Sequence, residues 1–294
     1  MKILAFDVGG TAIKTARVTA EGKMEGFAEH AYPAPGREGV MRILRREAEK
    51  GDFDAIGIST AGLVDSEKGE IIFSSEAIPG YTGTPLKAWM EEEFRRPTSV
   101  MNDVNAAALG EAAYGAGKEY NDFLCLTYGT GIGGAIVIDK KIYGGKSGLA
   151  GEIGHIATHY GGRSCVCGGR GCYGEYASAT ALVRACREVS EEFHDGRAVF
   201  EAFYRGDARV KAQIDDWIDE IVLGLVIAVH IFNPPALILG GGIMNEAYIV
   251  EQTERRLRQA VMPGYRDVVV RHAFLGSGAG ILGAARNAME RIGL

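Results

Sequence analysis

Three of the five cysteines, two of the six histidines and two glutamates fall within Gly151–Glu175, GEIGHIATHYGGRSCVCGGRGCYGE. Cys165, Cys167 and Cys172 sit among glycines, which let the backbone turn tightly and aim amide N–H groups at thiolate sulfur. Three thiolates need one more ligand for tetrahedral Zn2+, and His155 or His159 can supply it. A closed Cys3His set leaves no position for a substrate water, so such a metal is structural. The competing readings are a disulfide or small packed side chains. Cys165 and Cys167 are too close in sequence to bridge easily, and nothing marks the chain as secreted, so the spacing favours metal. Glu152 and His155, three apart, come side by side if Gly154 permits a helical turn. A carboxylate and an imidazole on one face suit a polyhydroxylated ligand.

Two further stretches have the chemistry of phosphate loops. Asp7-Val-Gly9-Gly10-Thr11 follows an apolar strand. Its glycines let backbone N–H groups approach an anion, Thr11 adds a hydroxyl, and Asp7 is placed to hold Mg2+ directly or through water. The bland alternative is a tight turn capped by Asp and Thr. Gly129-Thr130-Gly131-Ile-Gly133-Gly134 follows a second apolar strand and spells GxGxxG. A strand follows it where a dinucleotide fold needs a helix, and GxxxxGK[ST] is absent, so neither of those mechanisms applies. The recurrence of strand, glycine loop and strand at the starts of two halves suggests a duplicated lobe. Asn102-Asp103 ends a strand and opens an alanine-rich helix. The bland account is that both are simply preferred N-cap residues; since one cap needs only one of the two, the pair favours a second job for Asp103, taking a proton from an attacking hydroxyl.

The elements that must position these residues alternate between strand and helix, an α/β pattern. Strands are expected at Lys2–Asp7, Ala12–Thr19, Ala55–Thr60, Thr98–Met101, Phe123–Thr127, Ala135–Asp139, Ala236–Leu239 and Val268–Arg271. Helices are expected at Arg37–Lys50, from about Leu86, at Val104–Tyr114, Ala179–His194, Arg197–Tyr204 and Val210–Phe232, from about Glu246, and after Ser277–Gly280. The loop Ala61-Gly62-Leu63-Val64-Asp65 leaves the carboxyl end of a strand, where ligands bind in open α/β sheets. Gly240-Gly241-Gly242 admits a flat ring or ribose close to the backbone, or is a close-packed turn. Gly115–Asn121 is the expected lobe boundary. One lobe covers residues 1–117, with the C-terminal helix at about 283–294 packing back on it, and the other covers 118–282.

Composition excludes several classes. The chain is 47% apolar and 24% charged, with a net charge of −6 and no basic cluster, which argues against nucleic acid or anionic membrane as a partner. Glycine is abundant, 42 residues, but confined to discrete loops. MKILAFD enters a strand without signal-peptide features, so a cytoplasmic location is expected. The longest apolar run, Ile221–Phe232, is short of the roughly 20 residues that span a bilayer. Cys125 and Cys186 lie in apolar elements and are expected as reduced core residues.

Taken together these motifs resemble the ROK family of sugar kinases and sugar-responsive repressors, over essentially the whole chain. The resemblance implies an α/β, two-lobe actin-like ATPase (ribonuclease H-like) fold with a small zinc-binding loop, and a cleft that closes between the lobes. It also implies a cofactor set of ATP, Mg2+ and structural Zn2+, and a homodimer. By the same resemblance Asp103 is the catalytic base, and Gly62, Asn102, Glu152, His155 and Glu175 contact the sugar. Asp7, Gly9, Gly10, Thr11 and Lys14, with Gly129, Thr130, Gly131 and Gly133, serve the phosphates, and Gly241 and Gly242 the nucleoside. The metal falls to His155, Cys165, Cys167 and Cys172, the histidine using one ring nitrogen for metal and the other for sugar.

The chain departs from the family pattern in two places. The sugar-binding glutamate usually stands two residues after the last cysteine, where this chain has Gly174, with Glu175 next. Tyr81-Thr82-Gly83-Thr84 stands where many family glucokinases carry a tryptophan and an asparagine. Both bear on substrate choice. The expected activity is transfer of the γ-phosphoryl group of ATP to the 6-hydroxyl of glucose or a close relative. Alternatives are a β-glucoside kinase, an N-acetylmannosamine kinase, or, from another class, a sugar-responsive regulator lacking a DNA-binding domain.

Overall fold

The computed structural model describes residues 1–75 and 77–293. They form two compact units, one of Met1–Asn121, Ile136–Ala150 and Phe274–Leu294, the other of Asp122–Ala135 and Gly151–Ala273. The first unit thus also takes in Ile136–Ala150, and its C-terminal part begins at Phe274, ahead of the expected 283. The reason is local. Leu275 N–H donates to Glu111 Oε1 at 2.8 Å, and Ile142 packs on Met101, Ala106 and Leu109.

In the first unit β1 (Lys2–Val8), β2 (Ala12–Thr19), β3 (Met24–Ala31), β4 (Ala55–Thr60) and β7 (Thr98–Asn102) make a sheet of order β3-β2-β1-β4-β7. β1 runs antiparallel to β2 and parallel to β4, and β4 runs parallel to β7. Every residue of β4 is buried, as expected for a strand covered on both faces. On one face α1 (Gly36–Ala48) and α2 (Leu86–Phe94) set Val40, Ile43, Leu44, Leu86 and Met90 against Leu4, Phe6, Ile56 and Ile58. On the other, α9 (Ala279–Arg291) packs Ile281, Leu282 and Ala285 on Ile3, Ala5 and Val18. Beside α9 lies α3 (Asp103–Tyr114). A small hairpin, β5 (Leu63–Asp65) and β6 (Glu70–Phe73), follows the Gly62 turn.

The second sheet repeats the order as β10-β9-β8-β11-β12, from β8 (Phe123–Tyr128), β9 (Ile132–Ile138), β10 (Lys141–Ile142), β11 (Ala236–Gly240) and β12 (Val269–His272). The second unit is completed by the single turn α4 (Gly174–Ala177) and by α5 (Ala179–Val189), α6 (Gly196–Tyr204), α7 (Ala208–Phe232) and α8 (Ala247–Ala260). Ser178, Asp195 and Asp207 cap α5, α6 and α7 by accepting from backbone N–H groups, the caps their residue types favour. Helix α5 stops at Val189, short of the expected His194, because Ser190 is extended. Helix α7 is buried along Ile214, Ile218, Ile221 and Leu225, and ends at the left-handed Asn233 before Pro234. Among the described residues no helix is long and apolar enough to cross a membrane.

Candidate active site

In the first unit, sheet pairing brings three polar side chains together. Asp7 lies opposite Lys14 across β1 and β2, and beside Ser59 across β1 and β4. Ser59 Oγ donates to Asp7 Oδ1 at 2.8 Å, and Lys14 Nζ lies 3.9 Å from Asp7 Oδ2. Burial pushes the Asp7 carboxyl up, and Ser59 and Lys14 pull it back. The turn that follows is closed by Gly9 N–H donating to Ala12 O at 3.0 Å, and the Tyr32 hydroxyl donates to Gly9 O. Gly10 and Thr11 are exposed at its tip.

Asn102 and Asp103 share the head of α3. Asn102 is the N-cap of α3, its Oδ1 accepting from Val104 N–H at 2.9 Å and Asn105 N–H at 3.2 Å. Its Nδ2 donates to Gly62 O at 3.0 Å and to Asp103 Oδ1 at 2.9 Å. Gly62 has φ 102°, and a side chain there would run into Phe73 O, so the tight turn beside Asn102 requires glycine. Asp103 Oδ1 also accepts from Val104 N–H at 3.0 Å, a bond the cap does not need because Asn102 Oδ1 already accepts from that N–H. Burial first, and then the charge of Asp7, push the Asp103 pKa up to about 6, the range of a carboxylate poised as a general base.

In the second unit the Gly129–Gly131 turn is held by Gly129 N–H to Gly131 O at 2.9 Å and by Ala179 N–H, at the start of α5, to Gly129 O at 3.0 Å. Gly133 follows within β9. Gly241, with φ 99°, lies so close to the Tyr128 carbonyl that any Cβ would collide with it. These turns open on a cavity of about 1050 Å³ lined by Gly129, Thr130, Thr180, Phe200, Tyr204 and Gly242, among others. That volume accommodates a nucleoside. The α6 side chains were not legible as pocket residues, because their helix reads as an ordinary amphipathic one.

The metal-type cluster is assembled as four ligand atoms, from His155, Cys165, Cys167 and Cys172, all within 4.8 Å of one another. His155 Nδ1 lies 3.5 Å from Cys165 Sγ, and Cys167 Sγ lies 3.6 Å from Cys172 Sγ. These separations fit the edges, about 3.5–3.8 Å, of a tetrahedron with Zn–S and Zn–N bonds of about 2.3 and 2.1 Å. Cys165, Cys167 and Cys172 form no disulfide, so that alternative is not the one the cluster adopts, and Cys125 and Cys186 are buried as expected. Burial, and then the neighbouring thiols, push Cys172 up to about 12, so a shared cation is what would hold these sulfurs as thiolates.

His155 closes a short 3-10 turn, Ile153–His155, and points Nε2 to within 4.0 Å of Glu152 Oε2. His159, the alternative ligand, is engaged elsewhere. It stacks on Tyr176 at 3.9 Å, and its Nε2 lies 3.5 Å from Glu220 Oε1 on α7. Glu175 Oε2 lies 3.8 Å from Arg184 Nη1, and the Glu175 carbonyl accepts from Arg184 and from Arg163. Position 174 is the one that faces the preceding loop, since a Cβ on Gly174 would sit 3.3 Å from Gly154 O.

The duplicated sheets, the paired glycine turns and the carboxylate at the head of α3 define an actin-like ATPase fold built for phosphoryl transfer. The sequence profile of the ROK family matches residues 3–291, and the chain belongs to that family. It is 32% identical to a glucokinase of Thermotoga maritima over 100% of this chain and 99% of the relative. It is 30% identical to a beta-glucoside kinase of Listeria monocytogenes over 99% and 98%. A crystal structure of a ROK family glucokinase from Streptomyces griseus, in complex with glucose and AMPPNP, superposes with a TM-score of 0.86 at 32% identity, covering 99% of this chain and 100% of that one. The protein is a sugar kinase, a phosphotransferase with an alcohol acceptor.

Proposed function

We propose that the protein transfers the γ-phosphoryl group of ATP to the 6-hydroxyl of glucose or a closely related hexose. The observation that carries the mechanism is Asp103, at the head of a helix whose cap Asn102 supplies, with its carboxyl pushed up to about 6 by burial and then by the charge of Asp7. Asp103 takes the proton of the attacking hydroxyl, the sugar oxygen bonds to the γ-phosphorus, and the bond to the β–γ bridging oxygen breaks to leave ADP. Asp7 and Lys14, with the amides of Gly9, Gly10 and Thr11 and those of Gly129–Gly133, hold the polyphosphate. Asp7 is the residue that would carry Mg2+, which supplies charge neutralisation of the phosphates when bound. Gly62, Asn102, Glu152, His155 and Glu175 orient the sugar, and the Cys165, Cys167, Cys172 and His155 set would hold structural Zn2+. The chain acts in the cytoplasm as a homodimer.

One observation favours a second reading of the acceptor. Glu175 is paired with Arg184, and the position facing the Gly154 loop carries no side chain. A sugar with a substituent at its anomeric carbon, a β-glucoside, would find room there. A coupled ADP assay comparing glucose, cellobiose and N-acetylmannosamine decides between these acceptors. A glucose kcat/KM at least tenfold above the others supports the first reading. A preference for cellobiose that Gly174→Glu abolishes supports the second.

A further inference from the structure

The second unit contains a buried hydroxyl relay that no catalytic step uses. Tyr128 ends β8 immediately before the Gly129 turn, and Tyr173 follows the metal-type ligand Cys172 directly. Both rings are fully buried, and they meet edge to face with centroids 6.4 Å apart. Tyr173 Oη donates to Ile221 O on α7 at 2.9 Å, which uses its only proton. The 2.8 Å contact between the two hydroxyls is therefore donated by Tyr128. Gly224, one turn along α7, lets the Tyr173 ring lie flush on the helix, since a Cβ there would collide with the ring. Tyr128 is also the residue whose carbonyl abuts Gly241. A single side chain thus ties the cysteine loop, through Tyr128, to both turns that border the large cavity.

We infer that Tyr173 is a positioning residue that couples the cysteine loop to the nucleotide-binding turns, so that nucleotide and metal each strengthen retention of the other. The inference rests on the assignment of the Gly129 and Gly241 turns to the nucleotide. Two buried hydroxyls in apolar surroundings hold one orientation, because rotating either leaves a buried polar group without a partner. Coupling between two ligands is reciprocal by thermodynamic necessity, so it is measurable from either side.

The test uses the zinc-loaded, full-length protein and the variants Tyr173→Phe and Tyr128→Phe. Titration calorimetry with AMPPNP in the absence of sugar is expected to show binding weakened three- to tenfold in each variant, with glucose binding within twofold of wild type. The double variant is expected to match Tyr173→Phe alone. Zinc release to a chromogenic chelator is expected to slow severalfold when AMPPNP saturates the wild type, and to be insensitive to AMPPNP in Tyr173→Phe. Unchanged AMPPNP affinity in both variants, equal loss of AMPPNP and glucose affinity, or wild-type zinc release indifferent to AMPPNP would each overturn the coupling. If Tyr173→Phe fails to fold, Tyr128→Phe, which removes one donor only, decides the matter through the same two measurements. Wild type that binds no AMPPNP at all refutes the nucleotide assignment itself, an outcome distinct from variants that bind like wild type.

Discussion

The two glycine turns share a topology and differ in what holds them. Each follows the central strand of a five-stranded sheet, β1 in the order β3-β2-β1-β4-β7 and β8 in the order β10-β9-β8-β11-β12. The first turn is flanked by charge, with Asp7 held between Ser59 and Lys14. The second has no such carboxylate in its strand, and is fixed by Tyr128 on one side and by the start of α5 on the other. The third β–α connection differs in the same sense. The strand β7 delivers Asn102 and Asp103 to the head of α3, whereas β12 runs through His272 to a glycine-rich turn before α9. The same strand order occurs twice, and the carboxylates Asp7 and Asp103 sit on one copy while the cysteine loop and the large cavity sit on the other.

If that division is right, the largest effect comes from Asp103→Asn. A general base contributes about 10²–10⁴-fold, so turnover should fall about 1000-fold while sugar affinity stays within a few-fold. In wild type kcat/KM should rise with pH through an apparent pKa near 6, because the base works only when ionised. Stability should move the opposite way. The folded pKa of about 6 lies above the ordinary value of 3.8, so the ionised carboxylate costs stability. Below about pH 4 the group is protonated in both states and the cost vanishes, whereas above about pH 6 it is complete. Asp103→Asn is therefore expected to stabilise the protein at pH 7–8 by about 1–2 kcal/mol, after discounting for partial exposure, and not at pH 3.5. Denaturant unfolding at the two pH values checks the sign. Turnover within tenfold of wild type would remove Asp103 from the mechanism.

Cys172→Ser, or chelation of the loaded protein, probes the other copy. Structural zinc contributes to folding directly, so the melting temperature should drop by at least about 10 °C, with glucose KM raised more than about tenfold as the Glu152–His155 turn loosens. The prediction separates the copies only if kcat at saturating glucose suffers much less than in Asp103→Asn. Calorimetric melting with metal analysis, run beside initial rates, makes that comparison. A melting temperature that does not respond to chelation would show that the four ligands hold no structural ion.

What the sequence revealed in advance was local. The β4 run Ala55–Thr60 and the β2 run Ala12–Thr19 match their strands residue for residue, because one is buried throughout and the other largely alternates. The Asn102 cap and the clustered cysteines were legible for the same reason, since short spacing fixes geometry on its own. Partnerships across the chain were not legible. Ser59 reaches Asp7 from 52 residues away and Tyr173 reaches Tyr128 from 45, and nothing in either segment announces the other. The edge strand β3, Met24–Ala31, escaped notice because most of its positions are exposed or half-exposed and its pattern is polar. Glu175 was assigned by its place after Cys172, whereas its side chain answers to Arg184, one helix further on.

The smallest expected effect tests the charged turn through Ser59, the partner of Asp7 that its segment does not announce. Ser59 is fully buried and its hydroxyl is spent on Asp7, so Ser59→Ala leaves one carboxylate oxygen without its donor. A hydrogen bond to a charged group is worth about 1.5–3 kcal/mol, part of which water or Lys14 can recover. Because Ser59 pulls the Asp7 carboxyl down against burial, its loss raises that pKa further. Half-saturation for Mg2+ should then rise about threefold to tenfold, more at pH 6 than at pH 8, with glucose KM unchanged. Mg2+ titrations of initial rate at the two pH values measure this. An equal shift at both would mean that Ser59 packs the strand without tuning the acid, and the contrast between a charge-held and a hydroxyl-held turn would lose its first half.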